Sequence, residues 1–270
     1  VISRVVFLKR LAIAGCAATL PLPLVAAPSP NKDIACTKSK GGIIRGPSQS
    51  KVISLVFTGH SYAEGGDIIL DQLRKHHAKA GFFFTGVFLD NPEFVPLLKR
   101  IIRERHYIGP HSDQHLLYLP WGGSNELLVT QDQFRQDLSA NIDKIARLGV
   151  ARKRIKWFLP PYEHYNEAIA NWSREMGLVL INYTPGTRSN ADYTGEAEKN
   201  FVSSETIFRS ILAHEEKAGL NGFILLLHAG AGPDRKDKFA ARFGELLTEL
   251  SGRGYRFQRV DKLVSGCGEA

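Results

Sequence analysis

The sequence predicts an α/β fold in which seven parallel strands are wrapped by helices, a (β/α)7 barrel. Two observations carry that expectation. Short apolar segments of strand length alternate with amphipathic helical patterns, the order that parallel strands joined by helical crossovers require. The polar residues that stand out fall just after those strand segments, where barrels of this kind carry their chemistry. A chain of 270 residues with 43% hydrophobic content can bury one good core, and no second domain is expected beyond a short leader and an N-terminal extension over 28–49.

In chain order, the apolar run Val52 to Phe57 is the first strand, with His60 just beyond it. Asp67 to Lys79 has helical periodicity and leads into Gly81 to Thr85, whose Phe82, Phe83 and Phe84 are packing residues. Pro92 to His106 is the next helix and Tyr107 to Gly109 the third strand, followed by His111 and His115. Gln131 to Leu148 then leads to the strand Lys156 to Pro160, with Tyr162 and Glu163 at its end. Tyr165 to Met176 precedes Leu178 to Asn182, after which comes Arg188 to Asp192. Ser203 to Ala218 precedes the strand Gly222 to Leu227, which ends at His228. Lys236 to Arg253 and Tyr255 to Arg259 complete the alternation. There is no internal repeat, and the one biased stretch is Ala27 to Lys40.

The first 27 residues read as a secretory signal peptide: Arg4, Lys9 and Arg10 precede an apolar stretch that ends in Val25-Ala26-Ala27. Ile13-Ala14-Gly15-Cys16 offers the alternative of lipid attachment at Cys16. Either way the barrel is expected outside the cytoplasm, secreted or periplasmic, with no membrane span once the leader is gone. The two remaining cysteines, Cys36 and Cys267, lie near opposite ends of the chain, and a disulfide between them suits an oxidising compartment. The formal charge of +8 falls to +5 without the leader's three cations. Arg152-Lys153-Arg154 and Arg235-Lys236 read as solvated charge, no nucleic-acid motif accompanies them, and nucleic acid is not an expected partner.

The densest chemistry lies in Gly109-Pro110-His111-Ser112-Asp113-Gln114-His115. On a helical turn, residues four apart share a face, so His111 and His115 can address one ion. Neutral imidazole is the commonest side-chain ligand for zinc and related cations, although surface or core histidines often have the same spacing. His76, His77, His106 and His214 lie on helical patterns with charged neighbours and are not expected to be ligands.

Together with Leu159-Pro160-Pro161-Tyr162 and Leu226-Leu227-His228, the histidine segment resembles successive motifs of the polysaccharide deacetylases, the NodB-homology group or carbohydrate esterase family four. The run from Val52 through Phe84-Thr85-Gly86 resembles the family's opening segment, so the likeness spans roughly residues 50–262. The resemblance implies an incomplete, distorted NodB-like barrel and a divalent metal, with zinc the expected ion, on His111 and His115. It also implies that the Tyr162 backbone N–H serves as oxyanion donor and that His228 protonates the leaving group.

The sequence departs from the family pattern in one motif above all. Two adjacent aspartates usually follow the first strand, whereas here the stretch reads Val56-Phe57-Thr58-Gly59-His60, and Leu159 replaces the arginine that braces one of them. An arginine left without its carboxylate would be an uncompensated charge, so the two losses are consistent with each other. A rebuilt site would use His60 as third metal ligand and Glu163 as base or as a carboxylate ligand, with Glu64 and Asp192 as fallback carboxylates and Arg188 in place of the lost arginine. Tyr118 and Trp121, on a loop-like segment, and Arg188 and Asp192 are the expected substrate contacts, the aromatic rings being suited to a sugar face. The function this supports is metal-dependent hydrolysis of N- or O-acetyl groups on a saccharide. The alternatives are a non-catalytic carbohydrate-binding relative and a metal-dependent amidase or esterase for a non-sugar substrate.

Overall fold

The computed structural model describes Val1 and residues 36–267. The chain has two compact units, Val1–Asp33 and Ile34–Ala270, and the second carries the fold. The leader expected over 1–27, with its alternative lipid site at Cys16, lies outside the described residues apart from Val1.

The chain opens with an antiparallel hairpin, β1 (Thr37–Ser39) and β2 (Gly42–Arg45), whose turn is Lys40-Gly41 in the left-handed region, with φ 46° and 81°. Then follow β3 (Val52–Gly59), α1 (Gly66–Lys75), β4 (Gly81–Phe84), α2 (Gly86–Asp90), α3 (Val95–Arg103) and β5 (Tyr107–Pro110). Next come α4 (Gln131–Arg147), β6 (Trp157–Phe158), α5 (Glu167–Glu175), β7 (Val179–Leu180), α6 (Ser204–Ala218) and β8 (Ile224–His228). The last elements are α7 (Phe243–Gly252), β9 (Arg256–Phe257) and α8 (Val260–Leu263). All seven expected strands are present, as β3 to β9. The longer helices begin where side chains can satisfy free N–H groups: Thr130 and Gln133 form a capping box on α4, and Asn166 and Ser203 cap α5 and α6.

The parallel strands run in the order β5-β4-β3-β8, and β9 pairs with the first two residues of β3. β3 is buried along its whole length, as a central strand covered on both faces must be, and its sequence is correspondingly apolar. β6 and β7 form a separate parallel pair, joined to β5 through Leu159 N–H and the Pro110 carbonyl at 3.3 Å. Between β7 and β8 the sheet is bridged by the hairpin: Ile43 pairs with Ile181, and Arg45 with Phe223. The stretch expected as an extension or linker over 28–49 is therefore, in its described part, a component of the barrel wall. The Cys36–Cys267 disulfide fastens this hairpin to the chain just after α8, as the sequence led us to expect. Among the described residues, no helix is long and apolar enough to cross a membrane.

Candidate active site

The C-terminal ends of β3, β5, β6 and β8 open into a cavity of about 360 Å³ lined by Thr58, His60, His111, His115, Tyr162, Glu163, Tyr193 and His228, among others. The convergence expected from the strand ends is thus present for all four named histidines and for Tyr162 and Glu163.

The segment carrying His111 and His115 is not a helical turn. Ser112 and His115 have φ of 69° and 55°, and the loop is held from α4 rather than by its own helix. Asp137 accepts hydrogen bonds from the Ser112 hydroxyl (2.6 Å), the Asp113 N–H (3.0 Å) and the Gln114 N–H (2.7 Å). One helical turn further along, Asn141 accepts the His111 N–H at 3.0 Å and donates to the Phe84 carbonyl at 3.1 Å. These bonds stabilise left-handed conformations that non-glycine residues otherwise disfavour.

The ring of His111 is fixed as well. Its Nδ1 lies 2.8 Å from the Leu159 carbonyl, which can only accept, so Nδ1 carries the proton and Nε2 keeps a free lone pair. Burial, aided by the neighbouring His115, holds His111 well below its ordinary pKa. Burial and then His60 and His228 lower His115 to about 4, and burial also lowers His60. All three imidazoles are therefore neutral at pH 7, the form that ligates metals. His111 and His115 are tilted by 50° at 5.2 Å between centroids, and the donor chemistry of this pair fits a divalent cation. His60 instead stacks on His115 at 4.8 Å and 23°, with its Nδ1 3.1 Å from the Thr85 hydroxyl. Among the described residues, no group of three or more His, Cys, Asp or Glu side chains is arranged to hold a metal ion. The three-histidine ligand set expected from the sequence is not assembled in this arrangement.

Asp192 has a different place from the one expected. It is buried, with Oδ1 2.6 Å from His228 Nδ1 and Oδ2 accepting the His228 backbone N–H at 3.0 Å, so it orients His228 and does not face a ligand. Burial alone would lower the pKa of His228. The Asp192 carboxylate, supported by Glu163, outweighs that and raises it. For Glu163, burial raises the carboxyl pKa to about 7, partly opposed by His228. The cavity thus sets a carboxyl titrating near neutrality close to a histidine stabilised in its protonated form, the pairing that acid–base chemistry at neutral pH needs. Tyr162 sits in the left-handed region at φ 57°, in a turn whose next two N–H groups bond the Pro160 and Pro161 carbonyls.

The remaining expectations divide. Tyr118 is fully buried and packs edge-on against Phe134 at 5.4 Å, so it is a core residue and not a sugar platform. Trp121 is 64% exposed, stacks on His164 at 5.0 Å and meets Tyr162 edge-on at 5.8 Å, which puts it at the cavity rim. Arg188 is exposed and does not line the cavity. Glu64 is engaged by the N–H groups of Ala231 and Gly232, each at 2.9 Å, and by Lys238 at 2.6 Å, so it clamps the loop after β8 and is no fallback base.

Several residues were missed from sequence. Tyr62, Tyr193, Glu198 and Asp234 line the cavity, and the ring of Tyr193 lies 4.8 Å from that of His228. Arg235, expected to be solvated, is completely buried. Its guanidinium donates to the carbonyls of Asp237 (2.7 Å), Val202 (2.9 Å), Thr194 (3.0 Å) and Ala191 (3.4 Å), tying together the two loops that frame Asp192. Carbonyl dipoles supply most of the compensation for its charge, with the half-exposed Asp237 carboxylate more distant at 3.9 Å.

The polysaccharide deacetylase family matches residues 45–181. A peptidoglycan-N-acetylglucosamine deacetylase of Bacillus cereus is 29% identical over 220 residues, covering 81% of this chain and 90% of the relative. PdaA of Bacillus subtilis, a peptidoglycan-N-acetylmuramic acid deacetylase, is 24% identical over 221 residues, covering 81% and 73%. The solved structure of PdaA, a family 4 carbohydrate esterase, matches with a TM-score of 0.66 at 22% identity over 84% of this chain and 86% of its own. A CE4 family pseudoenzyme from Bacillus anthracis matches with a TM-score of 0.64 at 20% identity over 84% and 70%. The structural matches establish the distorted α/β barrel fold.

Proposed function

The chain belongs to the polysaccharide deacetylase family, and from that premise we propose that it hydrolyses acetyl groups from an acetylated sugar polymer, outside the cytoplasm, in a metal-dependent reaction. The observation that carries this reading is the Asp192–His228 pair facing Glu163 across one cavity.

In this reading Glu163 takes a proton from the attacking water, whose oxygen bonds to the acetyl carbon. The Tyr162 backbone N–H donates to the resulting oxyanion. His228, protonated and held by Asp192, gives its proton to the departing amine or alcohol as the bond to the acetyl carbon breaks, and acetate leaves. Glu163 and His228 thus exchange one proton each per turnover and are reset by solvent. The residues that would hold the cation are His111 and His115, whose nitrogen donors suit zinc, and His60 would join them only by turning out of its stack on His115. Such an ion, when bound, supplies Lewis-acid polarisation of the acetyl carbonyl and acidifies the attacking water. Trp121, with Tyr162 beside it, offers ring faces to the sugar chain.

A second reading is a non-catalytic sugar-binding member of the family. It is favoured by Thr58 and Gly59 standing where the family usually carries two carboxylates, and by the lack of a three-donor metal group among the described residues. Acetate release from a panel of acetylated glycans, with and without a chelator, separates the two. Chelator-sensitive release supports the enzyme, and sugar binding with no release from any glycan overturns it.

A further inference from the structure

The chain carries a formal charge of +8, yet among the described residues no lysine or arginine lines its cavity. At one end the lining carboxylates Glu198 and Asp234 flank Gly195: a Cβ built on that glycine would lie 3.1 Å from the Glu198 carboxylate and 3.5 Å from Asp234 Cβ. Both side chains are exposed at the rim. Inside the cavity the cationic group is His228, which is paired with Asp192, and the nearby lysines and arginines do not answer the two rim carboxylates from inside. Arg235 is turned into the loop carbonyls with no exposed surface, and Lys199 and Lys236 lie outside the lining.

Two further observations point to what enters. Among the described residues every exposed aromatic side chain, namely Tyr62, Trp121, Tyr162 and Tyr193, lies at this mouth, where ring faces suit the apolar faces of sugars. Within the cavity, the Thr58 hydroxyl is buried and has no hydrogen-bond partner. Thr58 is in register with His228 on the adjacent parallel strand. A buried hydroxyl left without a partner is costly.

We propose that Glu198 and Asp234 make this cavity selective for uncharged or amine-bearing sugar chains and exclude sugars that carry a carboxylate. The inference rests on the deacetylase reading and sharpens it. An acetylated amino sugar enters neutral, and the amine exposed by deacetylation is cationic. A chain with free amines beside an acetylated unit gains attraction at the rim, whereas a carboxylated unit of the muramic acid type meets like charge.

The test measures affinities by calorimetry for four oligosaccharides of equal length. These are N-acetylglucosamine oligomers in unmodified, carboxymethylated, carbamoylmethylated and partially deacetylated form, with the carbamoylmethyl oligomer controlling for size. At low salt the carboxymethylated oligomer should bind roughly tenfold more weakly than its carbamoyl counterpart, and the partially deacetylated one more tightly than the parent. High salt should compress both differences, and Glu198→Gln with Asp234→Asn should bring the carboxymethyl-to-carbamoyl ratio close to one. Equal affinities for these two oligomers in the parent protein, or a ratio the double variant does not move, overturn the charge selection while leaving deacetylation standing. Failure of all four to bind overturns the sugar-polymer reading and this inference with it.

Discussion

Glu163→Gln separates what this carboxylate contributes to chemistry from what it costs the fold. Burial lifts the Glu163 carboxyl from 4.5 to about 7. A carboxyl whose folded pKa is raised binds its proton more tightly in the folded chain than in the unfolded one. The contribution of this one group to stability is therefore greatest below about pH 4.5 and declines as the pH rises to about 7. At ~1.4 kcal/mol per pH unit, a displacement from 4.5 to about 7 corresponds to about 3.5 kcal/mol, and hydration at the cavity edge reduces this to about 2–3 kcal/mol. Glutamine has the same shape and no charge, so the variant should be about 2–3 kcal/mol more stable than the parent at pH 7.5 and similar to it near pH 4. Urea unfolding of both proteins across this range, in the presence of a chelator, reads the difference. In the same variant acetate release should fall by about 10²–10⁴-fold. A stability difference that does not change with pH would show a carboxyl that ionises at its ordinary value, and the assignment of Glu163 as a base poised near neutrality would be wrong.

Three other perturbations probe the remaining parts. Asp192→Asn removes the main opposition to burial at His228 and leaves only Glu163, so its pKa should fall in an NMR titration and turnover should drop by about 10²-fold. An unchanged titration would remove Asp192 from its orienting role. Replacing both His111 and His115 by alanine should abolish stoichiometric zinc binding, measured by elemental analysis of the dialysed protein, while circular dichroism stays that of a folded barrel; retained zinc would refute the ligand pair. Cys36→Ser opens a link between positions 231 residues apart and should lower the unfolding free energy by about 2–5 kcal/mol, with the urea midpoint as readout. An unmoved midpoint would mean that the hairpin is held without the disulfide.

The helices and the central strands were legible because their signal is local. β3 is eight buried residues in a row, and α4 keeps its periodicity over 17. β6 and β7 shrink to two residues each, because Pro160 and Pro161 close the first and neither has a full ladder on both sides. The hairpin went unseen because β1 is short, polar and exposed, and its place in the wall depends on partners more than a hundred residues away. In the site, the spacing of His111 and His115 correctly paired them, but for the wrong reason. Their loop is shaped by Asp137 and Asn141, four residues apart on the buried face of α4 alongside Phe134, Leu138 and Ile145. Two polar residues interrupting an apolar stripe at helical spacing were the available signal. Arg235 offered none, since a buried arginine answered mainly by carbonyls looks in sequence like any surface cation.

The departures from the family pattern bear on whether the site was rebuilt or merely lost. A side chain at Gly59 would place its Cβ 2.8 Å from the Phe88 ring and 2.9 Å from that of Phe84. Those rings stack face to face at 3.9 Å, so the space a carboxylate would need is filled by aromatic packing. Leu159, where the family resemblance leads one to expect an arginine, has its side chain completely buried in the apolar cluster with Val56, Phe83 and Leu226, while its carbonyl fixes the proton on His111 Nδ1. Neither substitution leaves a hole or an orphaned charge. The polar groups that remain are coupled: Asp192 orients His228, Arg235 braces the loops around Asp192, and Asp137 and Asn141 hold His111 in place. Buried polar networks are costly when only partly satisfied. The coupling of these groups around one cavity, beside a first motif in which only the Thr58 hydroxyl is left without a partner, is what a site fitted to new residues requires, and it favours the rebuilt enzyme over a fold that kept only its shape.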